Sequence, residues 1–298
     1  MADVLVTGAG GFLGAAVCRA AVAKGTRTTG LVRSGELATP LDGVTYREVD
    51  WSDTAEVGAV LREVAPQRVV HCAGATPRLQ ISTAELYEAN TALVWRLLDL
   101  VKAETAGAGV VVVSSAAVYG PSPKTPTTED EILDPVTHYA WSKMLAEQAV
   151  RAFAGTDGTR VCIARPFNLI GAGEPRGSIV SDVVEQIEAG ADVIHVRETS
   201  SVRDFVDVDD AARALLLLAE RGEPGQAYNV CSGVGVSVAG LIDAIQRVWG
   251  TEARVIPAQV LSDGTVSLGS CDRLSGLGWV AGRSLMSSLG VIRASKHP

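Results

Sequence analysis

Val4-Leu5-Val6-Thr7-Gly8-Ala9-Gly10-Gly11-Phe12-Leu13-Gly14 is the stretch on which the reading of this chain turns. An apolar run passes into glycines three residues apart, and an apolar stripe follows at Leu13, Val17 and Ala21. The run predicts a strand over Val4–Val6 and the stripe a helix over Leu13–Ala23. Glycine suits places where backbone must approach a ligand, because a β-carbon would stand in the way. A helix start offers free N–H groups and the positive end of its dipole. Gly8, Gly10, Gly11, Phe12, Leu13 and Gly14 are therefore expected to cradle a dinucleotide pyrophosphate. Glycine is common here, at 31 of 298 residues, so the spacing is weak evidence by itself. Its place between a strand and a helix gives it weight.

Outward from this turn, strand-like runs alternate with helical ones. Strands are expected at Thr28–Val32, Arg68–Cys72, Val110–Ser114, Thr159–Arg165 and Ala227–Cys231. Helices are expected over 83–103, 138–153, 178–189, 207–220 and 238–249. The alternation predicts an α/β fold: a Rossmann-type, doubly wound parallel sheet with a smaller mixed substrate-binding domain. The expected division is 1–165 plus 204–231 for the nucleotide and 166–203 plus 232–298 for the substrate. Residues 171–177 read as a mobile Gly/Pro loop, and 257–298 as poor in long regular patterns.

Composition narrows the function. The net charge of -8 argues against a nucleic-acid partner. No apolar run approaches the roughly 20 residues that span a bilayer. The opening residues read as strand and turn rather than as a signal peptide, so a cytoplasmic enzyme is expected. The five cysteines are scattered, with no CxxC pair, and read as free thiols. No metal is expected: Asp204, Asp207, Asp209 and Asp210 lack the spacing of a calcium loop.

A second segment supplies chemistry. Tyr139 and Lys143, in Tyr139-Ala140-Trp141-Ser142-Lys143, stand four apart and share one helix face. A phenol titrates near 10, too high for easy proton transfer at neutral pH. The ammonium and an oxidised nicotinamide are expected to lower it, and Lys143 can also hold the nicotinamide ribose. Ser115, at the end of the Val110–Ser114 strand, can bond the substrate oxygen beside Tyr139.

The choice of nicotinamide cofactor follows the second strand. An acid at its end would favour NAD by bonding the ribose. The sequence there is Gly30-Leu31-Val32-Arg33-Ser34, and Arg33 and Ser34 suit a 2′-phosphate. NADP(H) is expected, with Asp50 and Trp51 bordering the adenine.

These pieces resemble the extended short-chain dehydrogenase/reductase family, or NAD-dependent epimerase/dehydratase superfamily, in its nucleotide-sugar branch. The resemblance rests on TGAGGFLG at 7–14, HCAGA at 71–75, Asn90, SSAAVYG at 114–120, YAWSK at 139–143, RPFNLIG at 165–171 and SVRDFVDVDD at 201–210. It implies that Ser115, Tyr139 and Lys143 are catalytic. It also implies that Cys72, Ala73, Gly74, Asn90, Ser114 and Pro166 line the cofactor, with Ala75 and Ala116 toward substrate. Asn168 would bond the substrate diphosphate, Arg203 would face the nucleotide, and Arg176 is a further phosphate candidate. A homodimer, with Trp95 on its interface or in the core, is the family pattern.

Within this branch, sugar dehydratases carry an Asp-Glu pair after the serine. Ala116-Ala117 cannot move protons, so dehydration is not expected. The remainder resembles the nucleoside-diphosphate 4-keto-6-deoxyhexose 4-ketoreductases of deoxysugar and antibiotic pathways. The expected reaction is NADPH-dependent reduction at C4 of a dTDP- or GDP-linked 4-keto-6-deoxyhexose. Alternatives are an NAD-dependent nucleotide-sugar 4-epimerase, a reductase of a non-nucleotide carbonyl, and an NADP-binding sensor without turnover.

Overall fold

The computed structural model describes residues 3–35, 39–121, 124–155, 160–259 and 264–297. Thr159, the first residue of one expected strand, lies outside them. The chain opens with β1 (Val4–Thr7), α1 (Phe12–Ala23), β2 (Thr28–Arg33), β3 (Val44–Val49), α2 (Thr54–Val64) and β4 (Arg68–His71). Next come α3 (Thr83–Tyr87), a π-turn (Glu88–Ala92), α4 (Leu93–Glu104), β5 (Gly109–Val113), α5 (His138–Phe153) and β6 (Arg160–Pro166). Among the described residues, one seven-stranded sheet has the order β10-β6-β5-β4-β1-β2-β3, with β10 at Ala227–Val230. Every neighbouring pair in it is parallel. The order reverses between β1 and β4, so the loops after those strands part and leave a crevice at their carboxyl ends.

Strand residues alternate between two apolar layers. Val4, Val6, Val70 and Val111 face α1 and α7 (Val208–Arg221). Leu5, Val69, Val110 and Val112 face α2, α4 and α5. Being covered on both sides, these strands read as continuous apolar runs. Thr137 caps α5, its hydroxyl accepting Ala140 N–H at 3.1 Å, which puts Tyr139 in the first turn.

The smaller part holds β7 (Asn168–Ile170), α6 (Ile179–Glu188), β8 (Val193–Val196) and β9 (Val202–Asp207). It continues with β11 (Gly235–Ser237), α8 (Val238–Trp249), β12 (Arg254–Pro257) and β13 (Val266–Ser267). β9 is flanked by antiparallel β11 and by β13 and β7 in parallel. Val183, Leu241, Ile245 and Leu289 join α6, α8 and α10 (Leu285–Lys296) in a third core.

The expectation that 257–298 lacks regular structure is corrected by β13, α9 (Asp272–Ser275) and the twelve-residue α10. This segment is also tied to α7, the helix that covers one face of the large sheet. The buried Asp210 carboxylate accepts Gly282 N–H at 2.8 Å and Arg283 N–H at 2.9 Å, and Trp279 donates to the Asp210 carbonyl at 3.0 Å. The crowded aspartates serve as backbone anchors and caps. Asp204 accepts from Ser232 and Gly233, and Asp207 accepts the Ser288 hydroxyl at 2.6 Å. No helix among the described residues is long and apolar enough to cross a membrane.

Candidate active site

A cleft of about 600 Å³ opens where the strand order reverses. Its lining includes Gly8, Gly11, Phe12, Leu13 and Gly14 on one wall, Cys72 and Gly74 below, and Ser114, Ser115, Tyr139, Lys143 and Pro166 beyond. Gly8 and Gly14 are sterically required. A β-carbon at Gly14 would overlap the Gly8 carbonyl oxygen, and one at Gly8 (φ +63°) would lie 2.8 Å from Ala73 Cα. Gly11 caps α1 without a side-chain acceptor, leaving the first-turn N–H groups for a ligand. This cradle fits a dinucleotide pyrophosphate.

Gly74 and Ala75 are held from beneath. Asn90 sits in the π-turn that interrupts α3 and α4, a device that re-aims one side chain within a helix. Its Oδ1 accepts Ala75 N–H at 2.8 Å, and its Nδ2 donates to the Ala75 carbonyl and to Ser142 Oγ, each at 3.0 Å. Asn90 is thus fully occupied as a scaffold and acts on the cleft through the backbone it fixes. His71 is likewise buried; its Nδ1 meets Thr7 Oγ1 at 2.8 Å.

Tyr139 and Lys143 face the cleft from α5, and Ser115 faces them across it. Ser115 opens a short 3₁₀ turn (Ala116–Tyr119), and its hydroxyl accepts Ala117 N–H at 3.2 Å. Burial raises the Tyr139 phenol above its ordinary value, opposed by a hydrogen bond with Ser115 and the positive charge of Arg78. The expected lowering by Lys143 is therefore corrected. The ammonium donates instead to the Val113 carbonyl at 3.0 Å, and the cation acting on the phenol is Arg78. Burial lowers Lys143 itself to about 8.

Other expected site residues are dispersed. Asn168 lines the cleft, and its Nδ2 is committed to the Asp204 carbonyl at 3.1 Å. Ala75 lines it too. Ala73 and Gly10 belong to the surrounding turns, and Ala116 leads away into the 3₁₀ turn. Arg203 is turned toward Thr265, donating to its carbonyl at 2.7 Å and its hydroxyl at 2.8 Å. Arg176 is an exposed partner of Glu185 at 3.3 Å. Neither arginine is on the cleft wall, because both are consumed by surface contacts. Asp50 accepts from Ser52 beside the capped start of α2, and Trp51 packs against the core under α2.

Two cleft residues escaped the sequence reading. Arg78, in the loop after β4, bridges to the Gly177 carbonyl at 3.2 Å. Glu174, in the Gly/Pro loop after β7, is pushed up to about 7 by burial. Its Oε2 has no hydrogen-bond partner among the described residues. For Arg78 the available signal was position, since its loop follows β4 at the reversal point, where ligands of such sheets bind; Glu174 follows β7 of the smaller sheet and carried no such signal.

A nucleotide cradle joined to a phenol, a hydroxyl and an ammonium defines a nicotinamide-dependent redox enzyme acting at a carbon–oxygen bond. The chain belongs to the NAD dependent epimerase/dehydratase family, whose model matches residues 4–231. It is 32% identical over 200 residues to GDP-6-deoxy-D-mannose reductase of Pseudomonas aeruginosa, a match spanning 64% of this chain and 66% of that protein. It is 30% identical over 272 residues to dTDP-4-dehydro-6-deoxy-D-allose reductase of a Streptomyces species, spanning 85% of this chain and 82% of that one. Among solved structures, UDP-glucose 4-epimerase of Thermus thermophilus in complex with NAD superimposes with a TM-score of 0.86 at 25% identity, covering 99% of both chains. RMD from Pseudomonas aeruginosa complexed with NADPH gives 0.83 at 27% identity, covering 99% of this chain and 98% of that one.

The expectation of NADP(H) is overturned in favour of NAD. UDP-glucose 4-epimerases recur among both relatives and structural neighbours, and the Thermus structure holds NAD. The fold supplies a physical reason. Arg33 and Ser34 are exposed at the end of β2, but β3 runs beside it and pairs Glu48 with Val32. The Glu48 carboxylate accepts Gly35 N–H at 3.4 Å. The next strand thus brings an acid beside the end of β2, and an acid at that place in such folds suits a ribose hydroxyl better than a second phosphate.

Proposed function

We propose that the protein is an NAD-dependent nucleotide-sugar 4-epimerase. The observation that carries this reading is the Tyr139–Ser115 pair, set in one cleft with the glycine cradle and followed by Ala116-Ala117 rather than by an acid and a base. That set can move a proton at one oxygen, which is what inversion at C4 by oxidation and return requires; because ketoreduction asks the same of it, the choice of epimerase leans on the UDP-glucose 4-epimerases that recur among the relatives. Ser115 orients the C4 hydroxyl, Tyr139 Oη takes its proton and later returns it, and Lys143 holds the ribose side of the cofactor. Bound NAD would supply the hydride acceptor and donor. Arg78 and Glu174, at the far end of the cleft, are read as sugar-facing groups. The nucleotide half is read as 1–165 with 204–231, and the remainder as the substrate half. Trp95, Trp141 and Leu145, exposed on α4 and α5, are read as the face for a second copy. A cytoplasmic location goes with this reading.

A second reading, net reduction of a 4-keto-6-deoxy sugar nucleotide by NADH, is favoured by the names of the two reductases above. One experiment separates them. The protein is incubated with NAD and a panel of UDP-, dTDP- and GDP-hexoses, in parallel with NADH and their 4-keto-6-deoxy counterparts, and products are followed by NMR. Interconversion of C4 epimers without net cofactor consumption supports the epimerase. Stoichiometric NADH loss with keto sugars and no epimerisation replaces it with the reductase. No conversion in either series removes both.

A further inference from the structure

We propose that Glu147, clamped by Arg165, is the positioning residue of this site, locking together the three segments that carry its reacting side chains. The inference rests on reading the cleft as the redox site. On α5, Tyr139, Lys143 and Glu147 stand at i, i+4 and i+8, so one helix face carries all three. The first two face the cleft; the third is buried behind it, with a side chain only 1% exposed.

The contacts of Glu147 reach in three directions. Oε1 accepts the Ser114 hydroxyl at 2.7 Å and Arg165 Nε at 2.9 Å, and Oε2 accepts Arg165 Nη2 at 2.6 Å. Ser114 is the residue before Ser115. Arg165 is the residue before Pro166, and Asn168 follows close behind on the cleft wall. Arg165 Nη1 also donates to Tyr119 Oη at 2.9 Å, and that hydroxyl donates on to Asn229 Oδ1 at 2.7 Å. Tyr119 closes the turn that Ser115 opens. One carboxylate therefore fixes the helix of Tyr139, the strand end of Ser115 and the strand end leading to Asn168.

Stability is a poor explanation for such a pair. A buried ion pair is seldom more stabilising than apolar side chains of the same volume, whereas removing one partner is strongly destabilising. What apolar replacements cannot reproduce is the directed bidentate geometry, with a third bond to Ser114. A loosened Ser115 loses the hydrogen bond that counteracts the effect of burial on Tyr139.

The test uses the full chain carrying Glu147→Leu and Arg165→Met together, so that no lone charge is buried. Circular dichroism and NAD affinity check the fold. The expected result is native helicity, NAD affinity within about threefold, kcat down about tenfold or more with KM little changed, and the Tyr139 ionisation midpoint up by about one pH unit. The midpoint is read by ultraviolet difference against the same protein carrying Tyr139→Phe, without cofactor or substrate. If the double variant does not fold, Tyr119→Phe removes one hydroxyl of the same network and is held to the same readouts, with a smaller expected shift. A folded variant whose Tyr139 midpoint is unchanged overturns the proposal, as does one with native kcat. Absence of turnover in the unmodified enzyme would strike the functional reading alone, and the titration would still decide the role of Glu147.

Discussion

Asn90 reads the Ala75 backbone twice, accepting its N–H at 2.8 Å and donating to its carbonyl at 3.0 Å. A side-chain amide thus stands in for a missing strand neighbour at the point where the chain leaves β4 for the cleft. Asn90→Ala strands two buried backbone groups, at about 1–3 kcal/mol for each unsatisfied group. We expect a lower thermal midpoint by calorimetry and weaker NAD binding by titration; an unchanged affinity would count against this backbone as part of the cofactor wall.

Tyr139→Phe removes the proton carrier and leaves the ring. Turnover should fall by about 10²–10⁴-fold, the range of general acid–base catalysis. NAD binding, followed by quenching of intrinsic fluorescence, should stay within about twofold. Residual activity near that of the native enzyme would reassign the proton donor.

Gly14→Ala places a β-carbon on the Gly8 carbonyl oxygen, so the cradle must open. NAD-dependent stabilisation in a thermal-shift assay should be lost, while Gly25→Ala at an open turn far from the cleft should retain it. Gly25 has φ +69° and no neighbour within 4 Å, so its penalty is local backbone strain.

With Glu48 beside the β2 end, NAD should bind more tightly than NADP by about tenfold or more, the repulsion of a single carboxylate for an added phosphate. Glu48→Gln should narrow the gap. Equal affinities in the native protein, measured calorimetrically, would remove Glu48 from the site.

His71 makes the fold acid-sensitive. Its imidazole ordinarily titrates near 6.5, and burial, aided by the charge on Lys143, lowers this to about 3. Between those values the unfolded chain binds the extra proton, so stability is full above 6.5 and falls as the pH drops toward 3. The slope for one such group reaches about 1.4 kcal/mol per pH unit. Urea midpoints of His71→Asn at pH 7 and 4.5 should differ by less than those of the native chain.

The parts legible in the sequence were those written in local periodicity. Val4–Val6 with its glycines, the i, i+4 pair Tyr139 and Lys143, and the alternation of strand and helix each follow from spacing within a dozen residues. Other features depend on strand register. Glu48 comes beside Val32 only because β3 pairs with β2. Arg203 has the chemistry of a phosphate ligand, but Thr265, 62 residues away, takes its guanidinium. The π-turn at Asn90 leaves no mark in an apolar pattern. α10 went unread because Leu289 and Ile292 are buried among serines, too sparse a stripe to announce a helix.

Asp210 carries one last implication. The stretch that defines the family, 4–231, contains this carboxylate but none of the backbone donors at 282 and 283 that meet it. Cut at 231, the polypeptide would leave the Asp210 carboxylate with Arg213 but without the backbone N–H groups of 282 and 283, and would uncover the apolar layer against which Trp279 packs. The family-matched stretch thus completes its buried hydrogen bonding and part of its apolar cover only with residues that lie beyond it.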